Sequence, residues 1–133
     1  MFNPKRETAM LLGRWQPWHD GHTALFKKAY NEIGQVCIMC RSVPVADEAN
    51  SRQPGQNDNP FAFPRVVNRI QEALAEHGFT NGEEYVIMQV PNIVDISYGR
   101  NVGYTFTEHD LGEEVHNISA TKIRAELREK GKL

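Results

Sequence analysis

What the chain has little of narrows its chemistry first. Among 133 residues there are only two cysteines, too few for the disulfide framework that holds many small secreted domains together. There is no surplus of positive charge. Fifteen Lys and Arg stand against 17 Asp and Glu, a net charge of −2, which gives no footprint for wrapping nucleic acid but leaves room for a local basic pocket. No apolar run is long enough to span a membrane. The opening MFNPKRETAMLLG lacks the apolar run and small-residue cleavage site of a secretory signal. A cytoplasmic protein is expected, with neither membrane nor nucleic acid as partner. Repeats, low-complexity tracts and dividing linkers are also missing, so one domain over residues 1–133 is expected. Its composition, 40% apolar and 24% charged, suits a real core.

The two cysteines, Cys37 and Cys40, form a CxxC in QVCIMCRS. This segment reads as a buried strand, where positions i and i+3 face opposite ways. No second CxxC or histidine pair accompanies it, so two buried, inert thiols are expected.

Thr8–Leu12 is a short apolar run ending at a glycine, a first strand. GHTALFKKAYNEIG carries Leu25, Ala29 and Ile33 at helical spacing, and Gly34 closes that helix. QVCIMCRS, apolar on both faces, is a second strand. Residues 43–60 are polar and punctuated by Pro and Gly; loops of such length are usually functional or mobile. PRVVNRIQEALAEHG follows as a helix with Val66, Ile70 and Leu74 as its stripe and Pro64 near its first turn. Arg65 and Arg69 share another face of it, which reads as solvated. EEYVIMQVP is a third strand, DISYGR and YTFTEH are two more, and ISATKIRAELREKG is a closing helix with Ser119 as N-cap. The order predicts an α/β fold: a Rossmann-like open, mostly parallel five-stranded sheet with helices on both faces.

The stretch GRWQPWHDGH, Gly13 to His22, leaves the first strand and enters the first helix. In such sheets ligands sit at the carboxyl ends of strands, and a helix start offers N–H groups and partial positive charge to an anion. Gly13 and Gly21 spare side chains where a ligand would approach. His19 and His22 can donate ring N–H bonds to phosphate oxygens, and Arg14 adds charge. As a metal site, HxxH supplies two ligands, and His77, His109 and His116 show no partner spacing, so a phosphate cradle is the better reading and no protein metal ligand is assigned. Trp18 reads as packing.

GRWQPWHDGH resembles the HxGH motif of the nucleotidylyltransferase superfamily. ISATKIR, Ile118 to Arg124, resembles the second signature of that family at the start of its last helix. Asn59–Phe61 resembles the NPFT segment of its nicotinamide mononucleotide adenylyltransferase branch. The resemblance covers residues 8–128 and implies the HxGH nucleotidyltransferase fold. It also implies transfer of a nucleoside monophosphate from a nucleoside triphosphate to a phosphorylated small-molecule acceptor, with release of pyrophosphate. His19, His22 and Arg124 would be catalytic. Gly13, Arg14, Trp15, Gln16, Gly21, Gly99, Arg100, Ser119 and Thr121 would bind the nucleotide, and Arg41, at the end of the second strand, the acceptor. Magnesium would be held mainly through the nucleotide phosphates, and family precedent favours a homo-oligomer. ATP and AMP transfer are favoured by GRWQP and NPF. The alternatives are cytidylyl transfer from CTP to a phosphorylated alcohol or sugar acid, and a non-catalytic nucleotide-binding module.

One spacing sits badly with this fold. Only Pro91 to Val94 separate the third strand from the fourth, where a parallel crossover needs about a dozen residues. Either the fourth strand is displaced or PNIVDIS makes an extended crossing. Asn101 also stands where the family commonly has aspartate.

Overall fold

A strand whose two faces are both apolar belongs in the middle of a covered sheet, and the central strand here is such a segment. The computed structural model describes residues 1–44, 59–100, 103–109, 111, 123 and 127–129. Its elements follow the order β1 (Ala9–Gly13), α1 (Asp20–Ile33), β2 (Val36–Arg41), α2 (Phe63–Ala75) and β3 (Tyr85–Val90). The strands form one parallel sheet in the order β1-β2-β3, with Leu11 beside Ile38 and Ile38 beside Ile87.

Both crossovers step the same way across the sheet, so right-handed connections carry both helices to one face. Their apolar stripes meet alternate strand residues there: Phe26 and Ala29 from α1, Val66, Ile70 and Leu74 from α2, and Leu11, Val36, Ile38, Cys40 and Tyr85 from the strands. Phe26 presents its ring to Tyr85 and Phe79 in edge contacts at 5.6 and 5.0 Å. Gly34 ends α1 in the left-handed region at φ 101°, its N–H bonded to the Tyr30 carbonyl, a conformation glycine adopts without Cβ strain. Gln35 is buried against the chain start, donating to the Asn3 carbonyl and to Thr8 Oγ1, both at 2.7 Å.

The cysteines point to opposite faces of β2, as the alternation required. Cys40 joins the helix-side core and Cys37 does not. Burial pushes the Cys40 thiol up to about 11 and raises that of Cys37, so both stay protonated at neutral pH and unreactive as nucleophiles.

Two sequence expectations are corrected. DISYGR and YTFTEH form no strand among the described residues; 91–98 and 104–109 carry no regular structure. The reason is reach. From β3 the next free edge on the far side is that of β1, two strand spacings away, and a parallel strand must also return the full strand length. The four residues before DISYGR cannot do both; YTFTEH, further along, has no such limit and pairs with no strand among the described residues. Tyr98 and Phe106 instead face each other with ring centroids 5.8 Å apart, and both remain exposed. The sheet therefore has three strands among the described residues, and α1 and α2 both lie on one face. Ile123 and residues 127–129 are helical, and Leu127 packs against the core; the rest of the expected last helix lies outside the described residues.

Phe26 is fully buried. Replacing Phe26 by Ala should cost about 3–5 kcal/mol of folding stability, read as a lower urea midpoint with an unchanged slope. A loss under about 1 kcal/mol would show that this ring is not the centre of the core.

Candidate functional site

Between β1 and α1 the chain makes a compact turn built from aromatic rings. Trp15 sits at φ 55°, in the left-handed region that disfavours a bulky residue. Its surroundings hold it there. The indole Nε1 donates to the Met39 carbonyl of β2 at 3.0 Å, and its ring lies where a side chain on Gly13 would be, 2.9 Å from an added Cβ. Gly13 thus leaves room for Trp15. The Gln16–Pro17 peptide is cis. Trp18 is buried and donates from Nε1 to Thr23 Oγ1 at 2.8 Å, the packing role read for it.

His19 is the N-cap of α1, a position usually taken by Ser, Thr, Asp or Asn. Its Nδ1 accepts from the Gly21 N–H at 3.0 Å, while the His19 N–H donates to His22 Nδ1 at 3.1 Å. The two rings stack 3.7 Å apart. The His19 carbonyl also takes the N–H groups of His22 and Thr23, at 2.9 and 3.1 Å. The helix start therefore differs from the expected row of open backbone donors: the N–H groups of Gly21, His22 and Thr23 are already engaged.

That arrangement fixes the chemistry of the rings. An Nδ1 that accepts a hydrogen bond carries no proton, so each neutral imidazole is the Nε2–H tautomer. Each ring becomes an uncharged donor. Burial pushes His22 down to about 3, with repulsion from His19 adding to it. Burial also lowers His19; Asp20 opposes the shift and the Arg69 guanidinium reinforces it.

Arg69, on α2, donates from Nε to the Trp18 carbonyl at 2.9 Å. Arg65 lies over the Phe61 ring, 4.6 Å from its centroid. Both line a cavity of about 240 Å³ together with Trp15 and Pro17. The sequence pattern places these arginines on a solvated face, and their i,i+4 spacing is the one signal of their shared position. Arg14 donates to Asn59 Oδ1 at 3.0 Å. Gln16 is buried with its amide bound on both sides to the Phe61 backbone. At the end of β2, Arg41 donates from Nε and Nη2 to Asn92 Oδ1 at 3.3 and 2.9 Å.

The structure thus gathers Gly13, Arg14, Trp15, Gln16, His19, Gly21 and His22 in one turn. It leaves Gly99 and Arg100 on an exposed stretch, and nothing lies within 4 Å of where a Cβ on Gly99 would be. Ser119, Thr121, Arg124 and Asn101 lie outside the described residues. Among the described residues no three His, Cys, Asp or Glu side chains cluster as metal ligands, and no helix is long and apolar enough to cross a membrane.

No family model matches the chain. Curated proteins do. The nicotinamide-nucleotide adenylyltransferase of Methanococcus aeolicus is 32% identical over 71 residues, 53% of this chain and 37% of that protein. The nicotinamide-nucleotide adenylyltransferase of Ignicoccus hospitalis is 31% identical over 86 residues, 65% of this chain and 45% of that protein. The chain is similar to nucleotidylyltransferases. The matched region spans less than half the length of each of these curated relatives.

Because the fold holds both imidazoles neutral while an unfolded histidine titrates near pH 6.5, their contribution to stability is full above about pH 6.5. For His22 it is lost as pH falls toward about 3, with a slope of up to about 1.4 kcal/mol per pH unit; His19 contributes in the same direction. Chemical denaturation of the protein and of a His22→Gln variant between pH 6.5 and 5 should show a shallower decline in the variant. Parallel curves would remove His22 as a source of that dependence.

Proposed function

We propose that the chain transfers a nucleoside monophosphate, AMP in preference to CMP, from a nucleoside triphosphate to a phosphorylated small-molecule acceptor, releasing pyrophosphate in the cytoplasm. The observation that carries this reading is the pair His19 and His22, each with Nδ1 tied to a backbone N–H and Nε2–H left as the ring donor at the start of α1. Triphosphate oxygens are strong acceptors, and neutral donors fixed in advance stabilise charge on them without reorganising during reaction. The names of the relatives support adenylyl transfer and favour a nicotinamide nucleotide as the acceptor.

An acceptor phosphate oxygen would attack the α-phosphorus. The new P–O bond forms as the α–β bridging bond breaks, and pyrophosphate leaves with the bonding pair. Such chemistry calls for positioning and charge stabilisation, with no covalent enzyme intermediate. His19 and His22 would hold the α- and β-phosphoryl oxygens, with the Arg69 charge beside His19 raising the local potential. By resemblance, Ser119, Thr121 and Arg124 would take the β- and γ-phosphates. Arg41, held by Asn92 at the carboxyl end of β2, would meet the acceptor. Magnesium would be held mainly through the nucleotide phosphates and water.

The test is pyrophosphate release with ATP or CTP, magnesium and a panel of phosphorylated acceptors that includes nicotinamide mononucleotide. Release with ATP is expected, and chelating the metal should abolish it reversibly. His22→Ala should slow turnover about 10²-fold or more while the far-ultraviolet dichroism stays native. Release with CTP alone would overturn the adenylyl preference. Tight nucleotide binding without release under any pairing would make the chain a binding module.

A further inference from the structure

The structure assigns Gln16 a positioning role: its side-chain amide clamps the histidine turn to the segment that leads into α2. This rests on the proposed nucleotidyl transfer and adds a residue to it that touches no substrate. The Phe61 N–H donates to Gln16 Oε1 and Gln16 Nε2 donates to the Phe61 carbonyl, both at 2.8 Å and both buried. One primary amide so replaces a backbone rung between stretches 45 residues apart in sequence. An amide whose oxygen and nitrogen both face a buried peptide lies too deep to meet a nucleotide, since only 4% of Gln16 is exposed.

Its neighbours show what the clamp aligns. On one side of Gln16, Arg14 reaches Asn59; on the other, Arg69 of α2 reaches the carbonyl of Trp18, the residue before His19. The three bridges keep one order along both stretches: 14 to 59, 16 to 61 and 18 to 69. Gln16 is the buried one, shielded from competing water, so it dominates the set. A shift of the turn would displace both imidazoles from the phosphates, and misplacement by about 1 Å can cost about 10²-fold in rate.

The decisive variant is Gln16→Glu. Ionised, the carboxylate can accept from the Phe61 N–H but opposes the Phe61 carbonyl. Protonated, it accepts and donates as the amide does. The titratable side chains that share the adjoining small cavity are Arg41 and Cys40; the first is charged throughout and the second is a neutral thiol. With Gln16→Glu, kcat for pyrophosphate release should fall at least about tenfold at pH 8, with KM for the nucleotide nearly unchanged, and recover toward the wild-type value as pH falls to 5.5. Gln16→Met should lose kcat at every pH without recovery. The second readout needs no turnover: the ring ¹⁵N resonances of His19 and His22 in the free protein should move in Gln16→Glu at pH 8 and return on acidification. Unmoved ring signals, or a lowered melting temperature with wild-type kcat, would overturn the positioning role. If the wild-type protein releases no pyrophosphate, the proposed function fails, and the ring resonances still decide the clamp. If Gln16→Met does not fold, Gln16→Glu alone carries the test.

Discussion

Two ring nitrogens that accept backbone N–H bonds are what the described site depends on. Through them the imidazoles cap the helix and acquire a fixed tautomer in the same act. A serine or aspartate cap would satisfy Gly21 equally well, but would end the polar chain there. An imidazole has a second nitrogen some distance from the first, and tying down Nδ1 delivers a proton at Nε2. The cap converts a backbone N–H facing the helix axis into a side-chain N–H further out. Under the proposed function, the partial positive charge of the helix start would reach a phosphate through the rings rather than through the peptide groups.

Much of this frame could be read from the letters, for identifiable reasons. Val66, Ile70 and Leu74 sit one turn apart and became the buried face of α2 because nothing in that helix competes with the period. Gly34 ends α1 since its conformation suits few other residues. The opposed cysteines follow from strand geometry alone. Local pattern misleads at the fourth strand, which is absent among the described residues. DISYGR and YTFTEH alternate as strands do, yet a strand also needs an open edge within reach, and that requirement is non-local. The same reach objection was visible in the four residues after β3.

Within the site, the division falls between what a residue is and what it touches. His19, Gly21 and His22 announce themselves by type and spacing. Gln16 and Asn59 stand out by resemblance but their pairing does not, and Arg69 does not stand out at all, because the partners are 45 to 51 residues away. By resemblance Gln16 is a nucleotide contact, whereas its side-chain amide lies against the Phe61 peptide. Arg69 likewise matched a solvated helix face by periodicity, and its hydrogen bond to Trp18 arises only because α1 and α2 share one side of the sheet. Trp15, read as facing the nucleotide, is anchored by Met39 and seated over Gly13 while still edging the cavity that Arg65 and Arg69 line.

Keeping the histidines neutral has a consequence for how an anion is discriminated. A site of lysines would attract any polyanion through charge and weaken steeply with salt. Here the donors closest to the helix start are uncharged and oriented, so they reward an oxygen in the right place more than they reward negative charge in general. Arginines carry the longer-ranged attraction from the rim, where Arg65 rests on Phe61 and Arg69 is pinned by Trp18. Attraction and placement are assigned to different side chains. Under the proposed function, that separation would let a chain with net charge −2 hold a triphosphate locally without becoming a general polyanion binder.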